Sequence, residues 1–324
     1  MLGWNGIYNA TEFSAACPQN KGNSTTKTPY LEVPLSEDCL FLNIWAPLQQ
    51  SITKPVPVMV WFHGGAFVAG WGGDGLFWGD YLVNSTSDTI VVTTNYRLGI
   101  LGFFATPDLQ GNYGFQDQQE ALRWVQANIA AFGGDPNQVT IFGQSAGGMA
   151  CSLHLISPSS FGLFSKVIVE SNPTGVNYRT SEQSYPYSEK MSGFLGCNSS
   201  DVACLRSKSM EEMLQAQKRS YIISFPIVTT EFLPFAPIID GTIIVSQPMD
   251  LYRAGQINNP SVNAVAMGTV RNETRAFLPN VSLDTIFYKK VVDLIFAENA
   301  TTVLNEYPAT RGSNYNQVFF ISLL

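Results

Sequence analysis

The clearest chemical signal in this chain is a serine inside a short glycine-rich motif. The run Gly143-Gln144-Ser145-Ala146-Gly147 has the pattern G-x-S-x-G and joins a predicted strand over 139–142 to a predicted helix over 146–156. A serine on such a sharp turn is exposed, and the helix N-terminus behind it favours negative charge. An ordinary helix-capping serine is the alternative. The strand-turn-helix context favours Ser145 as the nucleophile of an acyl transfer.

A second glycine-rich turn, His63-Gly64-Gly65-Ala66-Phe67, follows another predicted strand upstream of Ser145. Acyl transfer places negative charge on a carbonyl oxygen, and backbone N–H groups reach that oxygen only where side chains leave room. This turn offers such groups, and the N–H of Ala146, directly after the nucleophile, offers another. A plain Gly-Gly turn is the alternative. Together with the serine motif, the turn indicates an oxyanion site.

A sheet must hold these two motifs in place. Short apolar, β-branched runs predict strands, and apolar residues at helical spacing predict helices. The predicted strands cover 55–63, 89–95, 139–142, 166–170 and 262–268, and the predicted helices cover 115–132 and 146–156. We therefore expect one α/β domain over residues 1–324, with a mostly parallel sheet covered by helices on both faces. Residues 180–235 fit the alternation poorly and are predicted to be an insertion or a lid-like excursion.

Composition excludes several classes of partner. Only 13% of the residues are charged, the net charge is -7 and the pI is about 4.9, so the surface should repel nucleic acid and anionic lipid. The apolar runs are far shorter than the roughly 20 residues that a membrane helix needs. No Cys/His cluster has zinc spacing and no lysine-containing phosphate loop precedes a helix, so we expect neither a metal nor a cofactor.

Seven Asn-x-Ser/Thr sequons in a chain with few charges indicate a surface solubilised by glycans, hence the secretory route. A chance result of an Asn- and Thr-rich composition is the alternative. The predicted glycosylation sites are Asn9, Asn23, Asn84, Asn198, Asn272, Asn280 and Asn299. Residues 1–10 lack the basic start and apolar stretch of a signal peptide, so a secreted protein implies a truncated N-terminus here.

The five cysteines form an odd set. In an oxidising compartment we expect Cys17 to pair with Cys39 and Cys197 to pair with Cys204, although sequence alone permits other pairings. Cys151 would remain free. It lies within an apolar helix, so we expect it to be a small buried hydrophobic residue.

Four stretches together resemble the type-B carboxylesterases, the cholinesterase-like family of α/β-hydrolases. FGGDPNQVTIFGQSAGG (132–148) is similar to the serine signature of that family, and EDCLFLNIWAP (37–47) is similar to its cysteine-containing signature. NYRLGILGFFA (95–105) and GNYGFQDQQEALRWVQANI (111–129) are also family-like. The resemblance runs from about residue 4 to residue 277, which is most of the chain.

The resemblance implies roles for individual residues. Ser145 is the nucleophile, and the N–H groups of Gly65, Ala66 and Ala146 form the oxyanion hole. The two expected cysteine pairs match the first two disulfides of the family, and Arg97 and Asp117 match a structural ion pair. The triad acid of the family is usually a glutamate on a loop after a strand. Glu273, in GTVRNETRAF, fits this position and the order Ser, acid, His; Asp240, in FAPIIDG, is the rival.

The chain departs from the family at the general base. The family histidine lies well downstream of the acid, at a position that would fall past Leu324. The chain has two histidines: His63 in the oxyanion turn, and His154, which lies about 13 Å along the helix from Ser145 at about 1.5 Å per residue. Losing the histidine of a serine triad costs on the order of 10⁶ in kcat. We therefore expect the 324-residue chain to be a nearly inactive fragment, short at both ends.

Specificity and the rival function complete the expectations. Gln144 replaces a glutamate that most relatives carry, and no tryptophan lies between Cys17 and Cys39 to bind a quaternary ammonium, so a small neutral carboxylic ester is the expected substrate. Trp71 and Trp78 either line the pocket mouth or merely pack. The alternative function is that of a non-catalytic, cholinesterase-like adhesion protein. Oligomeric state is not predicted.

Overall fold

A computed structural model describes residues 6–20, 33–47, 54–86, 88–174, 176–221, 233–257, 259–271, 273, 285–296, 300–306 and 308. Four of the predicted glycosylation sites, Asn23, Asn272, Asn280 and Asn299, lie outside these residues.

A sheet of six strands forms the centre of the described chain, in the order β1-β3-β2-β4-β5-β6. The strands are β1 (Leu42–Trp45), β2 (Val56–Phe62), β3 (Ile90–Thr94), β4 (Gly134–Gln144), β5 (Lys166–Glu170) and β6 (Ala264–Gly268). Only the pair β1–β3 is antiparallel, and the other neighbours are parallel. The expected mostly parallel sheet is therefore confirmed. Its carboxyl-terminal edge, where β2, β4, β5 and β6 end, is where the turns with the candidate site residues begin.

Ten α-helices surround this sheet in the described part of the chain. They are α1 (Asp80–Thr86), α2 (Gly99–Phe103), α3 (Tyr113–Asn128), α4 (Ala146–Ile156), α5 (Ser181–Phe194), α6 (Val202–Arg206), α7 (Met210–Tyr221), α8 (Pro248–Arg253), α9 (Thr285–Phe296) and α10 (Ala300–Glu306).

The strand order places these helices on both faces of the sheet. The connection through α1 runs from β2 to β3, and the connection through α4 runs from β4 to β5, in the opposite direction along the sheet. Because crossovers between parallel strands are right-handed, α1 and α4 lie on opposite faces. The connection through α3 runs in the same direction as that through α4, so these helices share a face. The ring of Phe115 on α3 stacks on that of His154 on α4, with centroids 4.3 Å apart.

The structure departs most from the predicted extents at β4 and in the 180–235 region. β4 begins at Gly134, ahead of the predicted start at 139, because Gly134 pairs with Val56 of β2 despite the polar residues between. The 180–235 region contains α5, α6 and α7, and its residues 222–232 lie outside the described chain. The side chain of Gln217 on α7 accepts the Ile100 N–H of α2 at 2.8 Å, which fastens this helical region to the rest of the domain.

Covalent and ionic links support the expected pairings. Cys17–Cys39 and Cys197–Cys204 are disulfides, whereas Cys151 is free and fully buried. The Arg97 guanidinium donates two hydrogen bonds to the Asp117 carboxylate, both at 2.8 Å. No helix in the described ranges is both long enough and apolar enough to cross a bilayer.

Candidate active site

Ser145 occupies the strained turn that its motif predicts. It lies between the end of β4 and the start of α4, and its φ of 57° and ψ of -121° fall in a region that residues with a Cβ rarely adopt. Its N–H donates to the Glu170 carbonyl of β5 at 3.0 Å, and its own carbonyl accepts the Met149 N–H at 2.8 Å. The backbone is thus held at both peptide groups while the residue remains partly exposed.

The motif glycines are required by close backbone approach. A Cβ on Gly143 would lie 2.6 Å from the Gly147 carbonyl and 2.7 Å from the Phe62 carbonyl oxygen, and a Cβ on Gly147 would overlap that same oxygen. Because both residues lack a Cβ, the first turn of α4 packs directly against the ends of β2 and β4. The sequence pattern G-x-S-x-G therefore has a steric cause here.

The oxyanion turn follows β2 and lies beside Ser145. Gly65, Ala66 and Phe67 all have positive φ, at 106°, 55° and 59°, and the turn closes on the Gly65 carbonyl, which accepts two N–H groups at 3.0 Å. A Cβ on Gly64 would lie 3.3 Å from the Cβ of Ser145, which shows how near the turn comes. Within the described chain the N–H groups of Gly65, Ala66 and Ala146 have no acceptor. Unpaired donors next to a serine hydroxyl suit a developing oxyanion.

The far end of this turn is clamped by two buried amides that the sequence analysis missed. Gln19 accepts the Gly70 N–H at 3.0 Å and donates to the Gly70 carbonyl at 2.9 Å. Asn95 accepts the Gly72 N–H at 2.8 Å and donates to the Cys39 carbonyl at 2.9 Å. No local pattern signals such partners, because each amide acts on a distant part of the chain.

Glu273 lies on the turn that follows β6, and one of its carboxylate oxygens accepts the Val270 N–H at 2.7 Å. The ends of β4, β5 and β6 are linked in series. The backbone N–H of Ser145 donates to the Glu170 carbonyl, and the backbone N–H of Ser171 donates to the Gly268 carbonyl at 2.8 Å. Glu273 and Ser145 therefore follow strands that end at the same edge of the sheet.

The rival acid Asp240 is fully engaged in local structure. One oxygen accepts the N–H groups of Thr242, Ile243 and Ile244 at 2.9, 2.7 and 3.0 Å, and the other accepts the Asn112 amide at 2.9 Å. A carboxylate that already accepts four hydrogen bonds is poorly placed to orient a histidine. The assignment of Glu273 as the triad acid stays a prediction.

Neither histidine of the chain serves Ser145. The His154 ring is fully buried between Phe62 and Phe115 and contacts Ser160 Oγ at 2.8 Å and Gln118 Oε1 at 3.2 Å. It is a core histidine, and burial lowers its pKa to about 3. His63 is buried under the oxyanion turn, where desolvation lowers its pKa to about 4. No described side chain hydrogen-bonds to the Ser145 hydroxyl.

The aromatic residues near the turn pack against each other. Phe13 stacks on Trp78 with centroids 5.5 Å apart and meets Trp71 edge-on at 5.7 Å. Trp78 also donates its indole N–H to the Gly73 carbonyl at 2.9 Å. Packing, the alternative considered for both tryptophans, thus accounts for their positions. Gln144 is exposed, and its Oε1 would lie 3.2 Å from a Cβ on Gly64, beside the oxyanion turn.

Two small crevices lie along α4 rather than over Ser145. Both are bordered by Val176 and Tyr178, and Ser145 borders neither. At the crevice that Ser152 borders, the Asn172 amide donates to Ser152 Oγ at 2.7 Å and so ties the loop after β5 to α4. Within the described ranges no three His, Cys, Asp or Glu residues are grouped as a metal site would require.

Comparison with known proteins gives the context for this arrangement. The sequence profile described as the carboxylesterase family matches residues 2–320. The chain is 44% identical to acylcarnitine hydrolase of Mus musculus over 246 residues, which cover 72% of this chain and 43% of the relative. It is 37% identical to the cAMP-regulated D2 protein of Dictyostelium discoideum over 284 residues, which cover 86% of this chain and 52% of the relative. The chain thus spans about half the length of these curated relatives.

Solved structures agree. A thermophilic PNB esterase superposes with a TM-score of 0.83 at 33% sequence identity, covering 98% of this chain and 65% of that one. The α/β-hydrolase fold expected from the sequence is therefore confirmed.

Proposed function

This chain belongs to the carboxylesterase family, and from that premise we propose that its protein hydrolyses small neutral carboxylic esters through an acyl-enzyme on Ser145. The observation that carries the proposal is the strained Ser145 turn beside three unpaired backbone N–H groups. An ordinary capping serine has no need of positive φ, and such strain collects at functional sites.

In the proposed mechanism the Ser145 oxygen attacks the ester carbonyl. The N–H groups of Gly65, Ala66 and Ala146 hold the resulting oxyanion, and the alcohol departs with the proton that the base took from Ser145. Water then releases the acid and restores the Ser145 hydroxyl. Glu273 orients the histidine that accepts the serine proton. Since the rings of His63 and His154 are held elsewhere, the proposal requires a base other than these two. The 324 residues on their own are accordingly expected to have a kcat lower than that of a complete triad by a factor on the order of 10⁶.

A fluorophosphonate probe tests the nucleophile on protein expressed from its natural gene. We expect labelling of a single site, which Ser145→Ala abolishes. Ser152→Ala, which removes a buried hydroxyl two turns along the same helix, is the matched control and should label normally. Labelling that survives in the Ser145 variant would refute the proposed nucleophile.

Secretion, glycosylation and a single domain are part of the same proposal. Of the described sequons, Asn9, Asn84 and Asn198 are all exposed to solvent. Enzymatic deglycosylation converts each glycosylated asparagine to aspartate, so peptide mass spectrometry of the natural protein reports occupancy at each site. The deglycosylated mass, compared with the 35.5 kDa of these residues, shows whether the natural protein is longer. If no asparagine proves to be modified, the secretory route is contradicted.

One observation favours a second candidate, a non-catalytic cholinesterase-like binding protein. Ser145 has no histidine partner in the described chain. A natural protein that has the 35.5 kDa mass and fails to react with the probe would place this candidate first.

A further inference from the structure

The oxyanion turn rests on the imidazole of His63, which has no part in the proposed mechanism. The ring is 1% exposed and stacks on Tyr96 with centroids 4.4 Å apart and an angle of 16° between the planes. Its Nδ1 lies 2.8 Å from the Gly64 carbonyl oxygen. Because a carbonyl only accepts, Nδ1 carries the proton in this contact.

This contact fixes the direction of a catalytic donor. The Gly64 carbonyl and the Gly65 N–H belong to one planar trans peptide, so they point in opposite directions. When the His63 Nδ1–H holds the carbonyl, the N–H must point away from the ring. Gly64 is also the turn residue whose Cβ position lies 3.3 Å from the Ser145 Cβ. Rotation of this peptide would therefore remove a donor next to the nucleophile.

The ring is closely packed between Gly70 and Tyr96. Gly70 has a φ of 118°, and a Cβ on it would overlap the His63 ring and lie 2.7 Å from the Gly64 carbonyl oxygen. Gln19 holds Gly70 in place, because its side chain accepts the Gly70 N–H and donates to the Gly70 carbonyl. On the other side, the Tyr96 hydroxyl donates to the His63 carbonyl at 2.7 Å. His63 Nε2 is buried without a partner in the described chain. A buried polar atom without a partner calls for an explanation. Here the Nδ1 hydrogen bond to the Gly64 carbonyl fixes the ring in an orientation that leaves Nε2 unpaired.

We propose that His63 is a positioning residue for the oxyanion hole, whose Nδ1–H tautomer holds the Gly64 carbonyl so that the Gly65 N–H faces the acyl oxygen. This inference rests on the proposed esterase function and extends it.

A pair of isosteric amide substitutions tests it. The amide nitrogen of asparagine falls near the position of Nδ1, whereas that of glutamine falls near Nε2, and both variants lose the aromatic stack on Tyr96. In the protein expressed from its natural gene, we expect His63→Gln to lose roughly 10- to 100-fold in kcat with KM little changed, as befits a donor used in the transition state, and His63→Asn to recover most of that loss. Equal losses in the two variants, or a loss in KM alone, would overturn the proposal.

Two measurements separate this inference from the proposed function. Crystal structures should show the 64–65 peptide rotated in His63→Gln and unchanged in His63→Asn; the same peptide orientation in both refutes the positioning role even if the protein is an active esterase. NMR of the imidazole nitrogens of wild-type His63 should show the proton on Nδ1, a readout that needs neither turnover nor a folded variant. A proton on Nε2 refutes the proposal, whereas a wild-type protein inert to esters and to fluorophosphonate refutes the function alone.

Discussion

The two buried histidines should make the fold sensitive to mild acid. Burial lowers the pKa of His63 to about 4 and that of His154 to about 3, from an ordinary value of 6.5. In the unfolded chain both rings would bind a proton as the pH falls through 6.5, whereas in the folded chain they remain neutral. The unfolded state then binds more protons, so stability is full above pH 6.5 and declines as the pH falls toward the folded values.

The size of the effect follows from these shifts. At about pH 5 an unfolded histidine is almost fully protonated and a folded one is almost fully neutral, which costs about 2 kcal/mol of folding free energy per histidine at about 1.4 kcal/mol per pKa unit. The two rings together should lower the free energy of unfolding by about 4 kcal/mol between about pH 7.5 and pH 5. That is a large part of the 5 to 15 kcal/mol, roughly, of a typical domain.

Urea unfolding with intact disulfides, followed by fluorescence at the two pH values, measures this loss. His154→Gln removes one titrating ring from the core and should reduce the pH-dependent loss by about 2 kcal/mol, even though it lowers stability at neutral pH. Phe115→Leu is the matched control, because it loosens the same aromatic stack and retains the histidine. Carboxylate titration is common to all three proteins and cancels in the comparison. A His154→Gln variant that loses as much stability as the wild type would refute the reasoning.

Three other expectations concern the disulfide, the elbow and the specificity. Replacing Cys17 and Cys39 with serine opens a loop with a sequence separation of 22, and should lower the free energy of unfolding by about 3 kcal/mol in chemical denaturation; an unchanged value contradicts this. Gly147→Ala should lower the melting temperature sharply because its Cβ overlaps the β2 carbonyl, whereas Gly193→Ala, with open space on α5, should not. Gln144→Glu places a charge beside the oxyanion turn and should raise the kcat/KM ratio of cationic over neutral esters severalfold, by about 1 kcal/mol; a constant ratio contradicts this.

The sheet was predictable because its strands are β-branched and buried. All five residues of β3 are buried, and the predicted 166–170 strand agrees with β5 at both ends. The early part of β4 was missed because Gly134 enters the sheet by pairing with Val56, and the polar residues that follow carry no apolar period. Within the 180–235 region α5 lacks a clear apolar stripe, whereas α7 has one that the prediction did not use. The capping box formed by Thr180 and Gln183 at the start of α5 was a usable local signal.

The candidate site divides in the same way. The sequence predicted the positions of Ser145 and the oxyanion turn because a sharp turn requires glycine and other small residues at neighbouring positions. The clamps by Gln19 and Asn95, and the stacking of His63 on Tyr96, depend on contacts between segments far apart in the chain. Long-range contacts between single side chains produce no periodic pattern in a single sequence. The choice of Glu273 over Asp240 stays a prediction, to which the structure adds the contacts of the two carboxylates.

The backbone strain at Ser145 has a consequence over evolutionary time. A residue with a Cβ at φ 57° and ψ -121° is disfavoured by about 1 to 3 kcal/mol, and glycine would relieve it. As long as selection maintains the chemistry, serine persists at this position against that pressure. Once a lineage no longer needs the reaction, substitution by glycine improves the fold at no cost to fitness. Under the proposed function, a serine retained at this position in a descendant gene therefore indicates recent selection for catalysis.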